Sequence, residues 1–128
     1  MSEGALPARA WLPEGAPRAI ALGLHGFNDS RDAWELPGPR FAAAGVALYA
    51  PDQRGFGAAP GRGRWPGQAR LAADAAAMLH ALAAAWPGVP LYAMGESMGG
   101  AVLMVLAASP AAPPVAGWVL LAPAVAGG

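Results

Sequence analysis

Four short runs of unbroken apolar residues, Ala19–Leu24, Val46–Ala50, Leu91–Met94 and Val115–Ala122, punctuate this chain, with longer Ala- and Leu-rich stretches between them. A strand that is apolar on both faces must be covered on both faces, a condition met by parallel sheets lying between layers of helix. Alternation of such runs with helical stretches predicts βαβ units and an α/β fold. The first run stops at His25-Gly26 and the second at Pro51-Asp52; the fourth is entered after Pro113-Pro114 and left at Pro123. Arg9–Leu12 adds an outer strand.

The stretches between the runs carry helical signals. Pro39 to Ala44 predicts a short helix closed by Gly45, with proline just inside its start and glycine just past its end. The longest helix is expected from about Gln68 to Trp86, with Leu71, Ala75, Met78, Leu82 and Trp86 on one stripe and Pro87-Gly88 as its stop. His80 falls opposite that stripe and is expected to face solvent. A further helix opens directly after Ser97 and runs to Ala108, following a strand with almost no loop.

Composition narrows the class of partner. The 128 residues are 55% hydrophobic and 12% charged, enough for the core of one domain spanning 1–128. Eight Arg balance eight acids and there is no Lys, so no net field draws nucleic acid or an anionic membrane surface. A small or apolar partner is expected. Without Cys, disulfides and thiolate chemistry are excluded, and serine chemistry is left open. Met1 to Pro7 carries an early acid and no apolar h-region, which argues against a secretory signal and for a cytoplasmic protein. No charge follows Glu96, yet Ser109-Pro110 and Pro113-Pro114 divide that segment into runs shorter than the roughly 18 apolar residues of a spanning helix. Buried core, with no transmembrane segment, is the expectation.

The chemistry-bearing motif is Gly95-Glu96-Ser97-Met98-Gly99. With 18 glycines in the chain a chance match is a real risk, so the weight comes from context, a strand feeding the serine and a helix leaving it. Gly95 and Gly99 let the backbone cross closely and hold Ser97 in strained φ/ψ, with Oγ above the sheet edge and a helix N-terminus favouring negative charge beside it. The rival reading makes Ser97 an ordinary N-cap. A second element is the His25-Gly26-Phe27-Asn28-Asp29-Ser30 loop, which offers a backbone N–H beside the nucleophile. An acyl-transfer oxyanion hole needs two such donors, and both loops leave the carboxyl ends of strands, where α/β ligands bind.

Four segments in order, Trp11 to Ala19, Leu24-His25-Gly26-Phe27, Asp52-Gln53-Arg54-Gly55-Phe56-Gly57 and Gly95-Glu96-Ser97-Met98-Gly99-Gly100, resemble the α/β-hydrolases of the monoacylglycerol lipase and lysophospholipase-like group, of serine aminopeptidase type. The resemblance implies the α/β-hydrolase fold, a mostly parallel sheet with helices on both faces. It implies Ser97 as nucleophile, the backbone N–H groups of Phe27 and Met98 as oxyanion hole, and His25-Gly26 as the shape of that loop. The implied substrate is a carboxylic ester, best a monoacylglycerol or lysophospholipid, with no cofactor and no metal. The Gly-Glu-Ser-Met-Gly form favours a fatty acyl group. Epoxide hydrolases and haloalkane dehalogenases of this fold are disfavoured, since their nucleophile is an Asp.

In that family the triad acid and histidine follow the serine, whereas here no acid follows Glu96 and no His follows His80. The expectation is a chain truncated after the strand that follows the nucleophile helix, without lid or the other two triad members, and nearly inactive alone. Loss of the base costs a factor of about a million in kcat in a serine protease. Its last strand should leave an apolar edge that lowers solubility. His25 is expected to be satisfied by local hydrogen bonds rather than to act as base. Asp52 and Arg54 are expected to hold their turn together. Gly61 to Gly67 lacks phosphate-loop spacing and reads as a surface loop whose Arg62, Arg64 and Trp65 offer contacts to a substrate head group. Glu96 is either a solvated charge or part of a network shaping the pocket. Rival functions are a non-catalytic fragment or binding module on the same scaffold, and an acyltransferase or cofactor-free peroxidase of the same fold.

Overall fold

The computed structural model describes residues 6–110 and 112–122. The N-terminal segment weighed above as a leader lies largely outside them, as does Pro123, the expected exit of the fourth run. Five strands form one sheet in the order β1-β3-β2-β4-β5. These are β1 Ala8–Trp11, β2 Ala19–Leu24, β3 Val46–Pro51, β4 Leu91–Glu96 and β5 Gly117–Leu121. The four apolar runs supply β2 to β5, all parallel to one another, while β1 pairs antiparallel with β3 at the edge.

Period-two alternation sorts the side chains between two cores. Ile20, Leu22, Leu24, Ala47, Leu91 and Ala93 face the larger one, which is closed by the helices α2 Gln68–Ala85 and α3 Met98–Ala107. Ala21, Leu48 and Ala50 face the other, covered by Trp11, Trp34, and Phe41 of the short helix α1 Pro37–Ala43. Each fully buried Leu contributes roughly 1.5–3 kcal/mol, so neither face is dispensable.

Element edges depart from the sequence expectation where local chemistry permits more than one start. Helix α1 begins at Pro37 rather than Pro39, because neither proline lacks anything the first turn would use. Strand β4 continues two residues past Met94, through Gly95 and Glu96, and β5 is shorter than Val115–Ala122. On α2 the buried residues are Leu71, Ala72, Ala75, Ala76 and Leu79, while Met78, Leu82 and Trp86 are only partly covered. The apolar stripe therefore runs one residue to the side of the expected one. His80 is exposed, as its position opposite that stripe requires. A 3-10 turn at Arg31–Trp34, absent from the sequence reading, places the Trp34 ring over β2. A Cβ at Gly23 would stand 2.7 Å from that ring, which accounts for a glycine inside a central strand.

Among the described residues no helix is long and apolar enough to cross a membrane. Strand β5 lies at the edge of the sheet with Val119, Leu120 and Leu121 exposed, the apolar edge the sequence leads one to expect.

Candidate active site

Ser97 stands between β4 and α3, with no residue of loop on either side. Its backbone is at φ 53° and ψ −114°, a conformation costing a non-glycine residue about 1–3 kcal/mol. Close packing holds it there. A Cβ on Gly95 would lie 2.5 Å from the Gly99 carbonyl, and one on Gly99 would lie 2.4 Å from the Leu24 carbonyl oxygen. Strand β4, helix α3 and the end of β2 thus approach to a distance only glycine allows. The Ser97 N–H donates to Leu121 O at 2.8 Å, tying the bend to β5.

Although Ser97 occupies the N-cap position of α3, its hydroxyl makes no capping hydrogen bond. The N-cap reading is therefore not how this side chain is used. Met98 begins α3, so its N–H has no preceding turn to accept it, while its side chain is buried in the larger core.

The loop after β2 meets this bend. A Cβ on Gly26 would lie 3.3 Å from Ser97 Cβ and 3.9 Å from its Oγ, so the two loops lie against each other and a side chain there would crowd Ser97. Asp29 N–H closes a tight turn onto Gly26 O at 3.2 Å, with Asn28 left-handed at φ 61°. The Phe27 N–H, inside that turn, has no acceptor among the described residues.

His25 fixes the loop from below. It is fully buried; Nδ1 donates to Gly26 O at 2.8 Å and Nε2 accepts from Gln53 N–H at 2.9 Å, which assigns the neutral tautomer protonated at Nδ1. The Gln53 side chain donates in turn to His25 O at 2.8 Å. Burial lowers the pKa of His25 from its ordinary value, against smaller opposing contributions from the Gly26 carbonyl and neighbouring carboxylates. Both ring nitrogens are thus engaged in structure, and the residue has no free atom to act as base. The sequence reading gives Gln53 no part in this clamp. The available signal was the polar pair Asp52-Gln53 at the end of an otherwise apolar strand.

The neighbouring loop is structural, as its charges suggest. The buried Asp52 carboxylate accepts from Arg31 N–H at 2.8 Å, Arg31 Nη1 at 2.7 Å and Ala58 N–H at 2.9 Å. Arg54 forms a two-pronged pair with Asp74 of α2, at 2.8 and 3.0 Å, which raises the arginine's pKa. Glu96 is exposed beside Ser97.

A cavity of about 460 Å³ opens beside Phe27. Phe27 stands edge-on to Phe56 at 5.4 Å between centroids and tilted against Trp65 at 6.1 Å. Arg62 and Arg64 line the same space, so residues 61–67 are an exposed loop as expected, folded back towards the loop after β2. No cluster of three or more His, Asp or Glu able to hold a metal occurs among the described residues.

Comparison with known proteins agrees with this architecture. Residues 15–128 match the family described as "Serine aminopeptidase, S33". The chain is 29% identical over 99 residues to the monoacylglycerol lipase of Mycolicibacterium smegmatis, covering 77% of this chain and 35% of that protein. It is 27% identical over 118 residues to human monoglyceride lipase, covering 91% of this chain and 39% of that protein. Among solved structures, a thermostable carboxyl esterase from Bacillus coagulans superposes with TM-score 0.77 at 26% identity, over 91% of this chain and 40% of the esterase. A monoglyceride lipase from Saccharomyces cerevisiae superposes with TM-score 0.79 at 22% identity, over 91% and 40% of the two chains, a likeness of fold. The chain therefore spans about 35–40% of the length of these relatives. With the fold, the order of its motifs and this match in agreement, the chain belongs to the serine aminopeptidase S33 family, as a monoacylglycerol-lipase-like α/β-hydrolase.

Proposed function

We propose that these residues carry the nucleophile and oxyanion hole of a serine hydrolase acting on carboxylic esters of lipid type, monoacylglycerol or lysophospholipid. The observation that carries this reading is a strained serine whose hydroxyl is spared from helix capping and lies against the turn of a second loop. In this reading Ser97 Oγ attacks the acyl carbon and the carbonyl oxygen becomes an oxyanion. The N–H groups of Phe27 and Met98, neither used by secondary structure, receive that charge at the N-terminus of α3. Collapse releases the alcohol and leaves an acyl group on Ser97, and water then completes the hydrolysis. His25-Gly26 shapes the loop, and Gly95 and Gly99 shape the bend. Glu96 adds a solvated charge at its rim.

The general base is not among these residues. His25 is engaged at both ring nitrogens, and His80 is exposed on α2. We place the base and its acid in sequence outside the 128 residues, in keeping with the fraction of the relatives' length that this chain spans. The clamped His25 also favours a second reading, a scaffold that binds without catalysis. A fluorophosphonate probe separates the two. A protein extended to its relatives' length should be labelled, Ser97→Ala should abolish labelling, and the 128-residue chain should stay unlabelled. Absence of labelling at Ser97 in the extended protein sinks the hydrolase reading. Adding the base should restore up to the roughly million-fold in kcat that its loss costs.

A further inference from the structure

We propose that the cavity beside Phe27 is an anion subsite, and that the esters preferred at Ser97 carry a carboxylate or phosphate on a short apolar spacer. The inference rests on the hydrolase reading for its link to Ser97, but the subsite itself does not. The apolar part of the cavity is a ring system. Phe27 is 59% exposed and Trp65 is 55% exposed; they meet each other, and Phe27 also rests edge-on against Phe56 at the border of the core. Together with Phe56 they form an aromatic floor in a cavity of a size suited to a small ligand.

The polar part is charged. Arg62 and Arg64 both line the cavity, and neither has an ion-pair partner among the described residues, as Arg18 and Arg40 have none, whereas Arg9, Arg31, Arg54 and Arg70 are paired; what sets Arg62 and Arg64 apart is that they share one cavity. Asp29 also lines the space, with Oδ1 accepting from Ser30 N–H, so the charges lining it sum to one positive. Guanidinium groups bind carboxylate and phosphate through paired N–H donors, and a ring floor beside them accepts the apolar atoms that lead to the anion. The loop is shaped to present them. Gly55 N–H donates to Pro60 O at 2.9 Å and Gly63 N–H to Gly55 O at 3.0 Å, folding residues 60–65 back over Gly55.

Phe27 joins the subsite to the proposed chemistry. Its backbone follows Gly26, which touches Ser97, while its ring lines the cavity. A substrate held at both would have its acyl carbonyl at Ser97 and its anion in the cavity, with Phe27 between them. Of the two ester types proposed above, the phosphate-bearing lysophospholipid would engage both guanidinium groups, and a neutral monoacylglycerol neither.

The test compares 4-phenylbutyrate with 4-phenylbutanol, the same spacer with and without charge, by tryptophan fluorescence of the purified protein at low salt. The acid should bind at least about tenfold more tightly, as expected for hydrogen bonds to a charged group, and added salt should weaken it. Arg62→Gln with Arg64→Gln should bring the acid to the level of the alcohol and leave the alcohol unchanged. Equal binding of the two compounds, no binding of either, or indifference of the acid to the double substitution overturns the proposal. So does acetate binding as tightly as phenylbutyrate, which would mark a site for free anions rather than for part of a substrate. Fluorophosphonate labelling of Ser97 in the extended protein, run in parallel, reports on the hydrolase reading separately. Labelling without selective anion binding removes only the subsite, and anion binding without labelling removes only the hydrolase.

Discussion

Two segments of this chain are dense in glycine, the bend at 95–100 and the loop at 61–67, and they use it for opposite reasons. At Gly95 and Gly99 there is no room: added carbons would meet backbone at 2.5 and 2.4 Å. At Gly61 and Gly63 there is nothing within 4 Å, and glycine is used because the backbone turns through φ 74° and 85°. The first segment is held by the packing of three elements and the second by its own backbone hydrogen bonds. Glycine content alone does not distinguish a site built to be rigid from one free to meet solvent, whereas the space around the missing Cβ does.

Substitution at Gly99 is the severest challenge to that contrast. Its Cβ would press on the Leu24 carbonyl, which is backbone of the central strand and cannot swing aside. Gly99→Ala should cost at least about 3 kcal/mol, in the upper range for overpacking. In an extended, active protein it should also remove fluorophosphonate labelling, because α3 carries Met98 N–H away from Ser97 as it shifts. Chemical denaturation measures the first effect, and a loss below about 1 kcal/mol would mean that the bend is looser than its contacts imply.

The loop after β3 is next, and its anchor is a charge pair. Arg54 and Asp74 are about seven-eighths covered and share two hydrogen bonds, whereas Arg9 and Glu35 are half exposed. Asp74→Asn should lower stability by about 1–2 kcal/mol, as expected for hydrogen bonds between charged groups with partial solvent access. Arg9→Ala should change it by less than about 1 kcal/mol. Equal effects would show that burial is not what separates the pairs.

The strands, their parallel direction and the serine bend were legible because each has a local signature: unbroken apolar runs, proline and glycine at the ends, a small-residue motif between strand and helix. What was not legible depends on partners distant in sequence. His25 and Gln53 lock each other across 28 positions, and Asp52 gathers donors from Arg31 and Ala58. The stripe on α2 centres on Leu79 rather than Met78, since the helix's rotation about its axis is set by α3 and the sheet rather than by its own periodicity. The cavity beside Phe27 has the same origin. Its walls come from two loops, and only their meeting makes a floor of Phe27, Phe56 and Trp65.

The buried histidine gives the rigid side of the contrast a pH signature. Burial holds His25 below its ordinary pKa of 6.5. As pH falls through that value the unfolded chain takes up a proton that the folded chain refuses, so stability falls with falling pH and levels off once the lower folded-state pKa is passed. Above pH 6.5 the full contribution of the neutral ring is present. His25→Gln, which keeps an acceptor for Gln53 N–H and cannot titrate, should flatten the slope of stability against pH below neutrality. An unchanged slope would mean that other groups set it and that the clamp tolerates imidazolium.

The mildest effect is expected at Gly61, where space is open and only the backbone objects. A left-handed φ of 74° costs an alanine roughly 1–2 kcal/mol, and the reduced freedom of the unfolded chain returns about 0.4–1 kcal/mol. Gly61→Ala should therefore lose no more than about 1.6 kcal/mol by denaturation and leave labelling of Ser97 in the extended protein intact. Its informative readout is the cavity. Arg64 N–H donates to Gly61 O at 2.8 Å, so a shift of this turn moves Arg64 and its neighbour Trp65 together. Binding of phenylbutyrate should weaken while Ser97 reacts as before, which would show that the loop can be retuned without disturbing the bend. A loss of stability as large as that of Gly99→Ala would instead mean that residues 61–67 are packed as tightly as the bend, and the contrast between the two segments would fail.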